Sequence, residues 1–240
     1  MSERKTRGEA DTLALTPELV SKLQGPSTDC GPGPNETLCD DADYARFLAE
    51  VFAGRPPGDL WLFAYGSLIW RPACLDEERR PALLRGHHRQ FCMWTRRFRA
   101  TPERPGLMLA LDRGGQCHGL ALRLSEKTVE QDLEKVLRRE IIIKPSAYLP
   151  RWLKLETGQG PLTALGFVIN RQSPRYTGRL AEEKAAAIIA GAVGHVGSCA
   201  EYLMHTVAHL EELGLRDSRL WRLQALVAKE LGAGAQNSSP

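Results

Sequence analysis

The sequence predicts a mixed α+β fold, and three observations lead there. Short apolar runs of strand-like composition crowd the middle of the 240-residue chain, at residues 60–65, 83–94, 106–111, 117–124, 152–155 and 162–169. Stretches with helical spacing and helix caps lie before, between and after them. No internal repeat and no low-complexity tract appears along the chain. Strands and helices mixed in this manner bury their apolar faces together as an α+β domain.

The elements follow in order. Thr16-Pro17-Glu18 opens a helix, with Thr16 as the cap and proline in the first turn. Residues 24–35 hold three prolines and three glycines and read as a loop. A second helix starts near Asp40 and carries Tyr44, Phe47, Leu48, Val51 and Phe52 on one side until Gly54 and Pro56-Pro57 end it. Residues 1–58 thus form a helical extension, and residues 59–240 the main domain.

The strands begin at residues 60–65, Leu-Trp-Leu-Phe-Ala-Tyr, which break at Gly66-Ser67 and become apolar again at Leu68-Ile69-Trp70. A glycine between two such runs marks a bulge or a tight corner, with amides left to point outward. The next strand is polar in its middle, from Arg85 to Gln90. Asp112-Arg113-Gly114-Gly115, between two apolar runs, predicts a hairpin turn. A helix capped by Ser125 runs to about Glu140, and two more strands follow. The last third is helical over residues 180–192, 198–213 and 217–231, with Gly214 and Gly232 as stops and a frayed polar tail beyond.

Composition narrows the function. The apolar and charged fractions, 42% and 25%, are ordinary for a globular protein, and a net charge of +3 gives no footing for nucleic acid or an anionic membrane. Residues 1–11 are polar, without the apolar segment of an export signal, and no apolar run approaches the ~18 residues of a membrane span. The expected location is therefore cytoplasmic. Six scattered cysteines without a Cys-x-x-Cys pair are expected as free thiols, Cys30 with Cys39 being the one oxidisable alternative, and zinc is not indicated.

Glu140 is the strongest candidate for chemistry. It lies three residues past Leu137 and four past Val136, on the face that also carries Val129 and Leu133. A carboxylate on a core-facing position is pushed toward the neutral form and so toward a pKa useful for proton transfer. The alternative is a buried ion pair with Arg138, Arg139 or Lys144. Ser67 lacks the second glycine of a Gly-x-Ser-x-Gly elbow, because position 69 is Ile, and is not read as a nucleophile. His205 and His209 stand four apart on one helix but lack the His-Glu-x-x-His pattern, so they are read as ordinary helix residues. The basic stretch Arg96-Arg97-Phe98-Arg99 through Arg104 is either a solvated edge or a site for a carboxylate-bearing ligand.

These residues resemble a known family. Residues 61–70 contain Tyr65-Gly66-Ser67-Leu68, similar to the Tyr-Gly-Ser-Leu signature of ChaC-like γ-glutamylcyclotransferases. Residues 99–106, Arg-Ala-Thr-Pro-Glu-Arg-Pro-Gly, resemble that family's Arg-Gly-x-Pro-x-x-Pro-Gly segment. Arg139-Glu140 resembles its Arg-Glu pair, followed by a tyrosine matched to Tyr148, and residues 167–171 and 197–203, with Tyr202, look like its bacterial branch. One departure stands out: Ser146-Ala147 precede Tyr148 where the family often has Gly-Gly.

The resemblance implies a mixed β-barrel surrounded by helices, to which the pattern of the residues adds helices at both ends. It implies cleavage of glutathione to 5-oxoproline and Cys-Gly without a metal or cofactor. It assigns Glu140 as acid/base, and Ala64, Tyr65, Gly66, Ser67, Leu68, Ile69, Arg99, Tyr148 and Tyr202 to the substrate. Another γ-glutamyl compound remains open as the substrate. From a different class, so does a non-catalytic regulator of a cation transporter, an association carried by the family's name alone.

Overall fold

The computed structural model describes residues 13–236. In chain order the elements are α1 (Pro17–Val20), β1 (Thr37–Leu38), α2 (Asp41–Ala53), β2 (Trp61–Ala64), β3 (Asp76–Thr95), β4 (Gly106–Leu124), α3 (Val129–Glu140), β5 (Ile143–Lys144), β6 (Tyr148–Thr157), β7 (Gly160–Ile169), α4 (Glu182–Gly191), β8 (Val193–Gly194), β9 (Gly197–Ser198), α5 (Cys199–Glu212) and α6 (Ser218–Gln236). Five strands close a barrel in the order β2-β4-β3-β6-β7, the mixed β-barrel that the resemblance implies. The described residues divide into two compact units: residues 32–93 with 109–178, and residues 13–31 with 94–108 and 179–236.

The first unit holds the barrel pairings. β2 lies between β4, antiparallel with Phe63 opposite Ala121, and β7, parallel with Leu62 opposite Leu165. All four residues of β2 are buried, which explains its unbroken apolar sequence. β6 and β7 form an antiparallel hairpin from Tyr148↔Ile169 to Thr157↔Gly160. Leu60, Leu62, Phe63, Leu109, Leu111, Leu122 and Phe167 are all buried, on one face of the barrel wall or the other. Burial of these side chains, each on the order of 1.5–3 kcal/mol, is the main force that closes the barrel.

α2 starts at a complete capping box: the Asp40 carboxylate accepts from the Asp43 amide at 2.9 Å, and Asp43 accepts from the Asp40 amide at 3.1 Å. It packs against α3. α3 begins at Val129 with Thr128 in the cap position rather than at Ser125, whose carbonyl instead closes a turn with the Thr128 amide at 3.1 Å. The segment after α3 is fastened to the residues before it in sequence. Tyr44 Oη donates to the Ile141 carbonyl at 3.0 Å, the Cys39 amide donates to the Ile142 carbonyl at 2.9 Å, and β1 pairs with β5.

The expected hairpin at residues 112–115 does not form. β4 runs unbroken from Gly106 to Leu124, and Gly114 and Gly115, at φ +99° and +70°, bend it sharply. The buried Asp112 carboxylate fixes that bend by accepting from Arg171 Nε at 2.7 Å and Tyr176 Oη at 2.8 Å. β3 likewise extends well before residue 83, back to Asp76.

In the second unit, α4, α5 and α6 pack on one another and α1 packs on α5. α5 is capped by Ser198, whose hydroxyl accepts from the Glu201 amide at 2.9 Å. α6 passes through Gly232, the expected stop, and ends at Gln236. All six cysteines are free thiols, as expected. Among the described residues no helix is long and apolar enough to cross a membrane. The readings made on residues 1–11 and on the extreme C-terminal tail lie outside the described residues.

Candidate active site

The break after β2 is a corner, not a bulge. The chain leaves the barrel at Tyr65 and makes a single 3₁₀ turn over Ser67–Ile69, closed by the Ile69 amide to the Gly66 carbonyl at 2.9 Å and the Arg71 amide to the Ser67 carbonyl at 2.8 Å. The opening amides of such a turn have no partner within it. A bulge would have kept residues 66–69 in the ladder. The corner instead lifts them out of it, because Gly66 takes φ −137° and ψ −130° and Ser67 starts a helical turn.

Two side chains hold the entry to this corner. Tyr65 Oη donates to the Phe167 carbonyl of β7 at 3.0 Å. Beneath it, Arg89 of β3 is 3% exposed and donates from Nε to the Tyr65 carbonyl at 2.5 Å and from Nη2 to the His118 carbonyl of β4. Arg89 ties three strands at the point where β2 ends. Sequence reasoning passed over it as part of a polar stretch. The signal was there in the two-residue period, since Arg89, Phe91 and Met93 share a face and the latter two are buried.

Glu140 is the last residue of α3, on the face of the buried Leu133, Val136 and Leu137. Its side chain is 15% exposed, and burial pushes its pKa up to about 7 against the downward pull of the Arg139 guanidinium. Among the described residues Arg139 is its sole ionic partner, with Nε 3.6 Å from Oε1. The alternative ion pairs are taken elsewhere: Arg138 binds Asp41 and Glu134, and Lys144 binds Asp43. Arg139 reaches the corner as well, donating from Nη2 to the Ser67 hydroxyl at 2.9 Å and from Nη1 to the Arg71 carbonyl. Glu140 and the turn over Ser67–Ile69 are thereby joined through one side chain.

Of the other sequence candidates, Tyr148 opens β6 and donates its hydroxyl to the Leu109 carbonyl of β4 at 2.7 Å. Ser146, in place of the family's glycine, receives the Tyr148 amide at 3.0 Å, so the departure from Gly-Gly is accommodated by a side-chain turn. Arg99 and Tyr202 belong to the other unit. There Arg99 Nη1 lies 2.5 Å from Glu201 Oε2 and donates to the Ser198 carbonyl at 2.9 Å, and its guanidinium stands 5.6 Å from the centre of the Tyr202 ring. Gly197, at φ +124°, leaves room for this pair, since a Cβ there would collide with Glu201. Arg97 in turn is paired with Asp29, so the basic stretch is not a simple solvated edge.

Comparison with known proteins adds to this geometry. A protein-family model described as ChaC-like protein matches residues 60–230. The chain is 39% identical over 189 residues to the glutathione-specific γ-glutamylcyclotransferase of Escherichia coli (strain K12), covering 78% of this chain and 81% of that protein. It is 30% identical over 165 residues to the human glutathione-specific γ-glutamylcyclotransferase 1, covering 66% of this chain and 72% of that protein. Among solved structures, a γ-glutamyl cyclotransferase specific to glutathione from yeast superposes with a TM-score of 0.65 at 18% identity, covering 72% of this chain and 97% of that one. At that identity the likeness is one of fold.

Proposed function

The chain belongs to the ChaC-like family, and from that premise we propose that it cleaves glutathione by cyclising the γ-glutamyl group, releasing 5-oxoproline and Cys-Gly, with Glu140 as the acid/base. The observation that carries the reading is the buried Glu140 carboxyl, with a pKa near 7, joined through Arg139 to the turn at Ser67–Ile69. The substrate class comes from the names of the relatives in Escherichia coli and human.

The chemistry needs little beyond orientation and proton transfer. The substrate's own α-amine attacks its γ-carbonyl, so nucleophile and electrophile are tethered, and holding the reactive rotamer supplies several kcal/mol of the barrier reduction. The amine arrives as an ammonium. Glu140 in its ionised form takes one proton, the free amine closes the five-membered ring, and the protonated carboxyl returns that proton to the departing nitrogen. A second proton leaves the ring nitrogen by the same route, so the nitrogen of Cys-Gly departs as an ammonium and no net proton is released. A carboxyl with a pKa near 7 suits both halves of this cycle at neutral pH. The first amides of the turn at residues 66–68 are suited to the α-carboxylate or to the oxyanion of the tetrahedral intermediate. Arg99 and Tyr202, which the resemblance assigns to the substrate, stand together in the other unit, where Glu201 already engages the Arg99 guanidinium.

The test is direct. Purified chain incubated with glutathione is expected to yield 5-oxoproline and Cys-Gly in equal amounts. Glu140→Gln is expected to slow this by about 10²–10⁴-fold, the usual worth of a general acid/base, while its circular dichroism stays unchanged. Full activity in the variant removes Glu140 from the mechanism. Product from other γ-glutamyl amides but none from glutathione reassigns the substrate.

A further inference from the structure

Arg139 touches both halves of the proposed site. Its three contacts use three nitrogens of one planar group: Nη2 on the Ser67 hydroxyl at 2.9 Å, Nη1 on the Arg71 carbonyl, and Nε 3.6 Å from Glu140 Oε1. A guanidinium presents these donors in a rigid fork, so partners gripped together are held in register. The side chain is 27% exposed and its partner Glu140 15%, which limits solvent screening between them.

Three other charges around the turn and the helix end have partners of their own. Arg138 is bound by Asp41 and Glu134. Lys144 is bound by Asp43, with Asp40 3.7 Å away. Arg79, which approaches the Ile69 carbonyl, is bound by Asp76. Among the described residues Arg139 alone acts electrostatically on Glu140.

We infer that Arg139 is a positioning residue for the reaction: its fork fixes the residue 67–71 turn relative to Glu140 and keeps a positive charge beside the carboxylate. The inference rests on the acid/base reading of Glu140. The fork does two separable things. Its geometry sets where a γ-glutamyl group bound at the turn stands with respect to the base. Its charge opposes burial, so that Glu140 is ionised at a lower pH than it would be alone. On this account Arg139 never exchanges a proton with substrate, and its own charge is constant through the cycle.

Three variants separate these parts: Arg139→Gln, Arg139→Lys and Glu140→Gln, each assayed with glutathione for kcat and kcat/KM across about pH 5–9. In Arg139→Gln the acid limb of kcat/KM is expected to move up by about one pH unit, because the opposing charge is gone. In Arg139→Lys the limb is expected to stay in place while kcat drops by roughly tenfold, because one ammonium cannot grip three partners. A purely structural role would lower stability and activity together and leave the limb unmoved. A folded Arg139→Gln with an unshifted limb overturns the inference, and so does an Arg139→Lys with wild-type kcat, which covers the case where the glutamine variant does not fold. An active Glu140→Gln fails the acid/base reading instead, so the two failures are told apart.

Discussion

A glutamate whose helical neighbours on one face are Leu133, Val136 and Leu137 sits where an apolar side chain would stabilise the fold more. That conflict is legible without a structure, because the 3.6-residue period fixes the face once the helix is recognised. What the period did not reveal is the neighbour. Arg139 is adjacent in sequence, and adjacent residues on a helix project about 100° apart, so nothing in the spacing suggests that it bends back to Glu140 and on to Ser67. Ser67 becomes clear in the same geometry. Its oxygen accepts from a guanidinium, an arrangement that orients a hydroxyl but does not deprotonate it. Ser67→Ala is therefore expected to lose no more than roughly ten- to hundredfold in kcat/KM, the worth of one charge-assisted hydrogen bond, with the main-chain amides of the turn still in place. Steady-state assays with glutathione check this, and a loss beyond a thousandfold would give the side chain a chemical role.

At the scale of elements, the strands and helices were legible and their connections less so. Residues 60–65, 152–155 and 162–169 became β2, β6 and β7 because continuous or alternating apolar runs have one stable use in a barrel. The Asp112-Arg113-Gly114-Gly115 run failed as a hairpin because two glycines at positive φ suit a bent strand as well as a reversal. The deciding partners, Arg171 and Tyr176, lie some sixty positions away. Ser125 failed as a helix cap because its carbonyl closes a turn first. Arg89 was missed because a charged residue in a strand reads as solvent-facing unless the carbonyls that it serves are known.

Residues 37–53 gain a local purpose at this scale. α2 and β1 hold the chain immediately after Glu140 through Tyr44 Oη on Ile141, the Cys39 amide on Ile142 and the β1–β5 pairing. Tyr44→Phe removes one buried hydrogen bond and leaves the ring packing intact, so its stability cost is expected near 1 kcal/mol. If the end of α3 is set by this brace, kcat falls by several-fold while KM stays near its wild-type value. Parallel denaturation and kinetic measurements distinguish the two effects, and an unchanged kcat would confine α2 to a packing role.

The whole molecule carries opposing titrations. Burial disfavours the Asp132 carboxylate, but hydrogen bonds from Thr128 and Lys135 outweigh it and hold the pKa below its ordinary value. Asp112 follows the same logic with Arg171 and Tyr176. Groups lowered by folding add stability above their unfolded pKa, and that contribution is lost as pH falls through the folded one. Glu140 runs the other way. Its folded pKa of about 7 lies above the ordinary 4.5, so the folded chain keeps a proton that the unfolded chain has released. The stability it contributes is whole below the lower value and declines as pH rises through the upper one. The fold is thus expected to be most stable at mildly acidic pH, below the range in which the Glu140 carboxyl is mostly ionised. Replacing Glu140 by Gln removes this term alone. The stability of Glu140→Gln relative to the native chain is therefore expected to rise by about 2 kcal/mol between roughly pH 5 and 8. Urea unfolding of both proteins at the two pH values measures this directly. If their stabilities run parallel with pH, the carboxyl is not strained toward its neutral form, and the raised pKa that the proton-transfer role requires is absent.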